Sequence, residues 1–404
     1  MTSPALPEAG LLRGRRQILG QALALALGAA VSLGLARFSY ALLLGTMRAD
    51  LGWSYFTAGA MNTANAAGYL LGALLMPGWM ARHGPRSALV GGGLVTAGLL
   101  ALHGLVASEA GLALLRGLSG AASAATFVAG GLLAARLGSR AAGRVSPGLV
   151  LGLYYGGTGL GIVVSAFLVP AFAGDGAALG WQPAWRALGG VALLMTLAMA
   201  WGTAADAPPA ASAAGPAAVP WRRLGFGLAG YLLFGLGYIG YMTFIVTLLR
   251  EQQLGAALIT AFYVTLGLGV VASSWLWADL LQRWRGGQAM ALLNALLALA
   301  TLLPVLSAHP VAVFASGALF GAVFLSVVAA STALVRHNLP TAAWPRGITA
   351  FTVLFALGQI AGPSLVGLIA DGPGGLRRGL ALSAAVLALG ALLAGLQRPL
   401  ADRR

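Results

Sequence analysis

Residues 18–47 read ILGQALALALGAAVSLGLARFSYALLLGTM, an apolar run interrupted by a single charge, Arg37. About 20 apolar residues in a helix cross the ~30 Å hydrocarbon core of a bilayer, so this run is long enough to span a membrane. A charge inside such a run costs at least ~2.5 kcal/mol on insertion scales and ordinarily faces a protein interior or a wet cavity. What Arg37 faces therefore bears directly on function.

The rest of the chain is built in the same way. Of its 404 residues, 59% are hydrophobic and 8% charged, and apolar runs recur from end to end, which soluble globular chains do not show. All 24 basic residues are arginine, and the net charge is +15. That charge would suit nucleic acid. The arginines, however, sit in short loops between apolar runs, as the positive-inside rule requires, so no nucleic-acid partner is expected. Sixty glycines suit closely packed membrane helices, and the absence of cysteine removes disulfide and thiolate chemistry. Arg13, Arg15 and Arg16 ahead of the first run imitate a signal peptide, but the run is too long and reads as an uncleaved first span.

Counting apolar runs gives twelve spans, near residues 18–46, 54–79, 87–106, 110–136, 146–171, 183–203, 224–248, 256–281, 288–306, 310–335, 346–370 and 377–397. The longest break, residues 204–223, is rich in proline and alanine and suits an extended linker. It divides the chain into residues 1–203, with six spans, and residues 224–404, with six more. Arginines crowd alternate loops: Arg82, Arg86, Arg136, Arg140, Arg144, Arg283 and Arg285 share one side, against Arg48, Arg186, Arg250, Arg377 and Arg378 on the other. Both termini are therefore expected in the cytoplasm. Arg37 and Arg116 are left within spans.

The halves repeat. Residues 34–40, GLARFSY, align with residues 235–241, GLGYIGY. Arg144, Gly156 and Gly161 align with Arg346, Gly358 and Pro363 at a nearly constant offset. Parallel repeats about an axis along the membrane normal are a transporter architecture, with the substrate site between the halves near mid-membrane.

Six spans plus six, the central linker and these local motifs resemble the major facilitator superfamily (MFS) over nearly the whole chain. The stretch ARFSYALLLGTMRADLGWS, followed by NTANAAGYLLGALL, is similar to the uncharacterised bacterial YbfB/YjiJ-like branch. The resemblance implies an all-α membrane protein of two six-helix bundles related by a pseudo-two-fold axis along the membrane normal. It also implies a monomer in the bacterial inner membrane, working by alternating access without a cofactor or metal.

Several motifs carry the resemblance further. The loop after span 2, with Gly78, Arg82, Gly84 and Arg86, keeps the superfamily's glycines and arginines but lacks its aspartate. The loop after span 8 keeps the acid as Asp279, followed by Arg283 and Arg285. In the superfamily this loop latches the cytoplasmic gate. By pseudo-symmetry Asp279 is expected to reach the start of span 5, where Ser146 and Pro147 read as an N-cap and a first-turn proline. The alternative for Asp279 is a solvated loop charge. Arg116, with Ser119 three residues on, resembles the span-4 motif, whose arginine points inward in the superfamily. Span 5 has Gly156-Gly157 where the antiporter motif has Gly-Pro, and the intact pair is Gly362-Pro363 in span 11, a possible rocking element or simply tight packing.

At 1.5 Å per residue, Arg116 lies ~10 Å and Arg37 ~16 Å from the outer ends of their spans. Snorkelling would remove Arg37 from any cavity, and pairing with backbone carbonyls would make Arg116 a helix clamp. Polar lining residues follow from helical spacing: Asn62, Asn65 and Tyr69 on span 2, Tyr231, Phe234, Tyr238 and Tyr241 on span 7, and Thr352, Phe355 and Gln359 on span 11. Apart from Asp279 at the very end of span 8, no acid lies within a span, and all four histidines lie at span ends. Two intramembrane arginines without an acid call for a negative partner, which a small organic anion supplies through charge-assisted hydrogen bonds.

The expectation is a secondary transporter, not an enzyme, for a small organic anion, with substrate-binding residues Arg37, Arg116, Asn62, Asn65, Tyr238 and Gln359. Asp279, Arg283, Gly362 and Pro363 are the gating candidates. A coupling ion and surrounding lipid are the remaining partners. Efflux of lipophilic compounds and a non-transporting receptor or scaffold are the alternatives.

Overall fold

The structure, a computed structural model, describes residues 8–141, 143–174, 178–203 and 218–400. Most of the expected linker, residues 204–217, lies outside the described residues.

Every regular element among the described residues is helical. The first span is α1 (Glu8–Ala29), a π-helix (Ala30–Phe38) and α2 (Tyr40–Leu51) in one run. Then come α3 (Tyr55–His83), α4 (Pro85–His103), α5 (Glu109–Arg140), α6 (Pro147–Phe172) and α7 (Gln182–Gly202). The second set is α8 (Gly225–Glu251), α9 (Ala256–Leu276) with the short α10 (Ala278–Arg283), α11 (Gln288–Leu306), α12 (Pro310–Asn338), α13 (Trp344–Ala370) and α14 (Gly375–Gly395). Among the described residues, eleven spans are long and apolar enough to cross a bilayer. The twelfth is α3, 29 residues long, whose hydropathy is lowered by Asn62 and Asn65.

Local chemistry sets the helix ends. Ser54 Oγ accepts the Thr57 N–H at 3.0 Å, and Ser146 Oγ accepts the Leu149 N–H at 3.2 Å with Pro147 in the first turn. Gly52 closes α2 at φ 65°, a left-handed position that disfavours a side chain.

The helix neighbours repeat six spans on. The α1–α6, α3–α5, α4–α5 and α4–α7 pairs of the first set recur as α8–α13, α9–α12, α11–α12 and α11–α14 in the second. Between the sets, α3 packs on α13, α6 packs on α9, and α2 packs on α8. Exchanging the sets maps these three contacts onto themselves, as a two-fold axis between them requires.

Two departures from the sequence expectation matter. Span 8 breaks at Trp277 rather than running unbroken to residue 281. The centre of the first span is wound as a π-helix, and its i→i+5 pattern closes with the Ser39 N–H donating to Gly34 O at 3.2 Å. This stretch also meets α6 closely. A Cβ on Gly34 would sit 2.5 Å from Gly161 Cα and 2.9 Å from Thr158 O, so the two backbones meet with no side chain between them. At the end of the widened stretch two carbonyls accept side-chain donors: Ala36 O from Arg116 and Phe38 O from Tyr263.

Candidate functional site

The two intramembrane arginines have opposite environments. Arg116 is 1% exposed and its donors are engaged by protein. Its Nη1 donates to Ala36 O at 2.9 Å, Nη2 to Asn62 Oδ1 at 2.9 Å, and Nε to Met61 O at 3.5 Å. Its guanidinium carbon lies 4.6 Å from the Tyr40 ring centroid and 6.0 Å from that of Trp185. Arg116 thus clamps spans 1, 2 and 4 together.

Arg37, carried at the end of the π-helix, is 3% exposed, yet its Nε and Nη2 have no hydrogen-bond partner among the described residues. Its contact to charge-accepting surface is the Tyr69 ring, 5.6 Å away. Burial rules out snorkelling as an account of this side chain. Nε–H and Nη2 lie on the same edge of a guanidinium, the edge whose parallel donors fit a carboxylate bidentately. The described acids outside α1, namely Asp50, Glu109, Glu251, Asp279 and Asp371, lie at helix ends or just beyond them. Arg37 is a buried cation whose fork meets no acceptor among the described residues.

The other expected residues divide. Asn62 accepts from Arg116 and donates through Nδ2 to Thr243 Oγ1 of α8 at 2.7 Å, so it links the two helix sets. Asn65 instead ties α3 to α5, donating to Arg116 O at 3.0 Å and Ser119 Oγ at 3.3 Å. Tyr238 donates its hydroxyl hydrogen to Gln359 Oε1 at 2.8 Å. The span-7 stripe splits. Tyr231, Phe234 and Tyr238 all stack on Phe355 of α13, with centroids 5.1–5.6 Å apart, while Tyr241 turns away to stack on Phe320 at 4.0 Å. Thr352 is exposed and hydrogen-bonds its own helix at Ile348 O. His103, at the end of α4, is fully buried, with its ring 4.5 Å from that of Trp185.

Thr243, Phe324 and Tyr40 were not singled out from sequence. Thr243 sits two residues from Tyr241 with no charge or motif to mark it. Its partnership with Asn62 depends on how the two helix sets pack.

The gating residues also divide. Asp279 pairs with Arg283 of its own short helix at 3.6 Å, both side chains largely exposed, while Ser146 caps its own helix. In this conformation Asp279 is thus part of an exposed pair on its own helix. The physics expected of Asp279 appears at the other end of the spans. There Asp371, just past α13, accepts the Tyr55 and Phe56 N–H groups at the start of α3, at 2.7 and 2.9 Å. The Tyr55 hydroxyl donates to Glu251 at the end of α8, and its ring carries the Arg48 guanidinium 3.7 Å away. Gly362 and Pro363 lie where α13 crosses its neighbours. A Cβ on Gly362 would be 2.5 Å from Leu236 O, and one on Gly59 would be 2.3 Å from Pro363 O. One turn further along α3, Thr63 Oγ1 donates to Ile360 O at 2.6 Å and lies 2.8 Å from Ser364 Oγ. The two helix sets are thus joined across the end of the spans that carries Asp371.

The family described as "Uncharacterised MFS-type transporter YbfB" matches residues 29–395. No curated protein matches the chain. Among solved structures, a bacterial homologue of the human lysosomal transporter Spinster, inward-facing and unoccupied, is 14% identical with a TM-score of 0.68, over 95% of this chain and 96% of that one. The nucleoside transporter NupG is likewise 14% identical, with a TM-score of 0.69 over 93% of this chain and 98% of that one. At that identity the likeness establishes the fold. The match over residues 29–395 establishes the family, one of transporters rather than enzymes: the chain belongs to the MFS-type transporters typified by YbfB.

Proposed function

We propose that this protein is a secondary transporter that moves a small organic anion across the bacterial cytoplasmic membrane by alternating access. The carrying observation is Arg37, a buried guanidinium with Nε and Nη2 unpartnered. An unmatched charge inside a membrane protein is unfavourable by several kcal/mol, and an anion entering the site removes that cost. Tyr69, Tyr238 and Gln359 flank the ligand, and Asn62 couples it to the opposite half through Thr243. Arg116 acts behind them, holding Ala36 and Asn62 in place and adding positive potential.

Residues 1–203 and 224–404 form the two bundles, with the site between them. Asp371 on the α3 N-terminus is the outer latch. The solvated Asp279–Arg283 pair is free to serve the inner gate in the opposite state, and Gly362-Pro363 is the pivot. Arginine-rich loops favour cytoplasmic termini, so a C-terminal fluorescent fusion should light up and a C-terminal phosphatase fusion should stay silent. A neutral nucleoside, the cargo named for one structural relative, would leave the guanidinium unmatched.

A thermal-shift screen of purified protein against pooled anions, cations and neutral metabolites tests the proposal. Stabilisation confined to anions and lost in Arg37→Gln supports it. Stabilisation by neutral compounds or cations alone, unchanged in Arg37→Gln, refutes it.

A further inference from the structure

We propose that Tyr263 is a positioning residue for Arg37: reaching across from the second helix set, its hydroxyl holds the π-helical register of the stretch that carries this arginine. The inference rests on the reading of Arg37 as the ligand's partner, but the hold itself is testable with no ligand present.

The argument begins with backbone carbonyls. Where an i→i+5 ladder gives way to an i→i+4 ladder the bonding step changes, and carbonyls at the junction need donors from elsewhere. In a bilayer core water does not supply them. Here side chains do. Leu35 O accepts from Ser39 Oγ at 2.5 Å, Ala36 O from Arg116 Nη1 at 2.9 Å, and Phe38 O from the Tyr263 hydroxyl at 2.6 Å. Arg37 sits between the last two carbonyls. Ser39 and Arg116 belong to the first set, whereas Tyr263 is on α9 of the second and is fully buried. Rocking of one set against the other therefore acts on the backbone next to Arg37.

The internal repeat makes this contact one of a pair. The offset that aligns residues 34–40 with 235–241 also carries Tyr55, the first residue of α3, onto Ala256, the first of α9. It carries Phe38 onto Ile239 and Asn62 onto Tyr263. Asn62 donates to Thr243 Oγ1 at 2.7 Å, and Thr243 in turn donates to Ile239 O at 2.6 Å. Each crossing residue thus ends on the equivalent carbonyl of the opposite set. The two differ in reach. Leu42 stands where Thr243 does and has no hydroxyl to relay, so the longer tyrosine spans the gap alone. At 1.5 Å per residue both carbonyls lie ~18–20 Å from the outer ends of their spans, the shared depth that a two-fold axis requires. The direct tie goes with the π-helix and the charge. Around Ile239 the chain is regular α-helix, and Tyr238 takes the place of Arg37.

Hydrogen exchange of purified full-length protein, read by mass spectrometry without ligand, tests the hold. Tyr263→Phe keeps the ring and removes the donor. Residues 30–42 should then exchange roughly two- to tenfold faster than in the wild type, the factor that one lost hydrogen bond gives. Tyr241→Phe is the control. It loses an equally buried hydroxyl, bonded to Ser316 at 2.7 Å within the second set, and should leave residues 30–42 at the wild-type rate. The second readout is Arg37 itself. Phenylglyoxal modifies accessible guanidinium groups, and its rate at Arg37, measured on the isolated peptide, should rise in Tyr263→Phe and not in Tyr241→Phe. If residues 30–42 exchange alike in wild type and Tyr263→Phe, or Tyr241→Phe speeds them equally, the inference falls. Faster exchange with unchanged modification of Arg37 also overturns it, because Tyr263 then holds backbone without placing the charge. None of these failures touches the organic-anion reading, which the pooled screen decides separately. A failed screen with both readouts as expected overturns that reading and leaves the hold standing.

Discussion

Arg116 donates through Nη2 to Asn62 Oδ1 at 2.9 Å, and the same asparagine donates onward to Thr243 Oγ1 at 2.7 Å. This two-bond relay runs from span 4 through span 2 to span 7 and crosses from one helix set to the other. Replacing Arg116 by methionine keeps much of the volume but leaves Asn62 Oδ1 and Ala36 O without donors. Each orphaned group costs about 1–3 kcal/mol. Arg116→Met should therefore melt well below the wild type with no ligand present, measured by differential scanning fluorimetry in detergent. A melting temperature within a degree of wild type would show that the relay contributes no stability.

Arg37 should behave in the opposite way. Its Nε and Nη2 have no acceptor, so in the unliganded protein the charge is a liability. A buried ion carries an effective desolvation penalty of several kcal/mol, which an apolar group of similar size does not incur. Arg37→Met should thus raise the melting temperature of the empty protein while abolishing anion binding. A substitution that gains stability and loses ligand response marks a residue kept for binding, whereas a fall in stability would reveal a protein partner for Arg37.

The proposed outer latch can be tested directly because the chain has no native cysteine. Asp371 accepts the first two N–H groups of α3, and a charged cap of this kind is worth about 0.5–2 kcal/mol. Asp371→Asn weakens it without changing size. A cysteine at Ser364, beside Thr63 in the α3–α13 contact, should react faster with an impermeant maleimide from the outer face when Asp371 is asparagine. Equal labelling rates would mean the carboxylate does not hold the latch.

Much of this architecture was legible in the sequence, because the bilayer imposes a length on every span and arginine marks every second loop. The internal repeat pointed to two sets about an axis along the membrane normal, but not to which helices meet across it, α3 with α13 and α6 with α9. Arg37 and Arg116 were visible as charges inside apolar runs. Their difference was not, because it depends on which carbonyls a neighbouring helix turns toward each guanidinium. Ala36 O faces Arg116 where the first span has widened into a π-helix, and Gly34 of that stretch meets Gly161 of a helix more than a hundred residues away. The latch shows the same limit. An acid on a helix N-terminus was expected of Asp279, but which acid meets which N-terminus depends on which end of the spans is joined, and here it is Asp371 on α3.

The contact of the first span with α6 supplies the last prediction. Gly157 approaches Ala26 so closely that a Cβ there would lie 2.0 Å from the Ala26 carbonyl oxygen, and at Gly161 it would lie 2.4 Å from Ala30 O. Both obstacles are backbone and cannot swing aside. Gly157→Ala must push the first span off α6, and overpacking of this kind costs about 1–3 kcal/mol. Gly20 in α1 has nothing within 4 Å of its would-be Cβ, so Gly20→Ala meets no clash and gains up to about 1 kcal/mol of helix propensity. The pair separates packing from composition: Gly157→Ala should lower the melting temperature and blunt the anion response, because displacing the first span moves the π-helix that carries Arg37, while Gly20→Ala should leave both intact. If Gly157→Ala binds anions as the wild type does, the position of Arg37 does not depend on this contact, and the π-helix is a packing feature rather than part of the binding site.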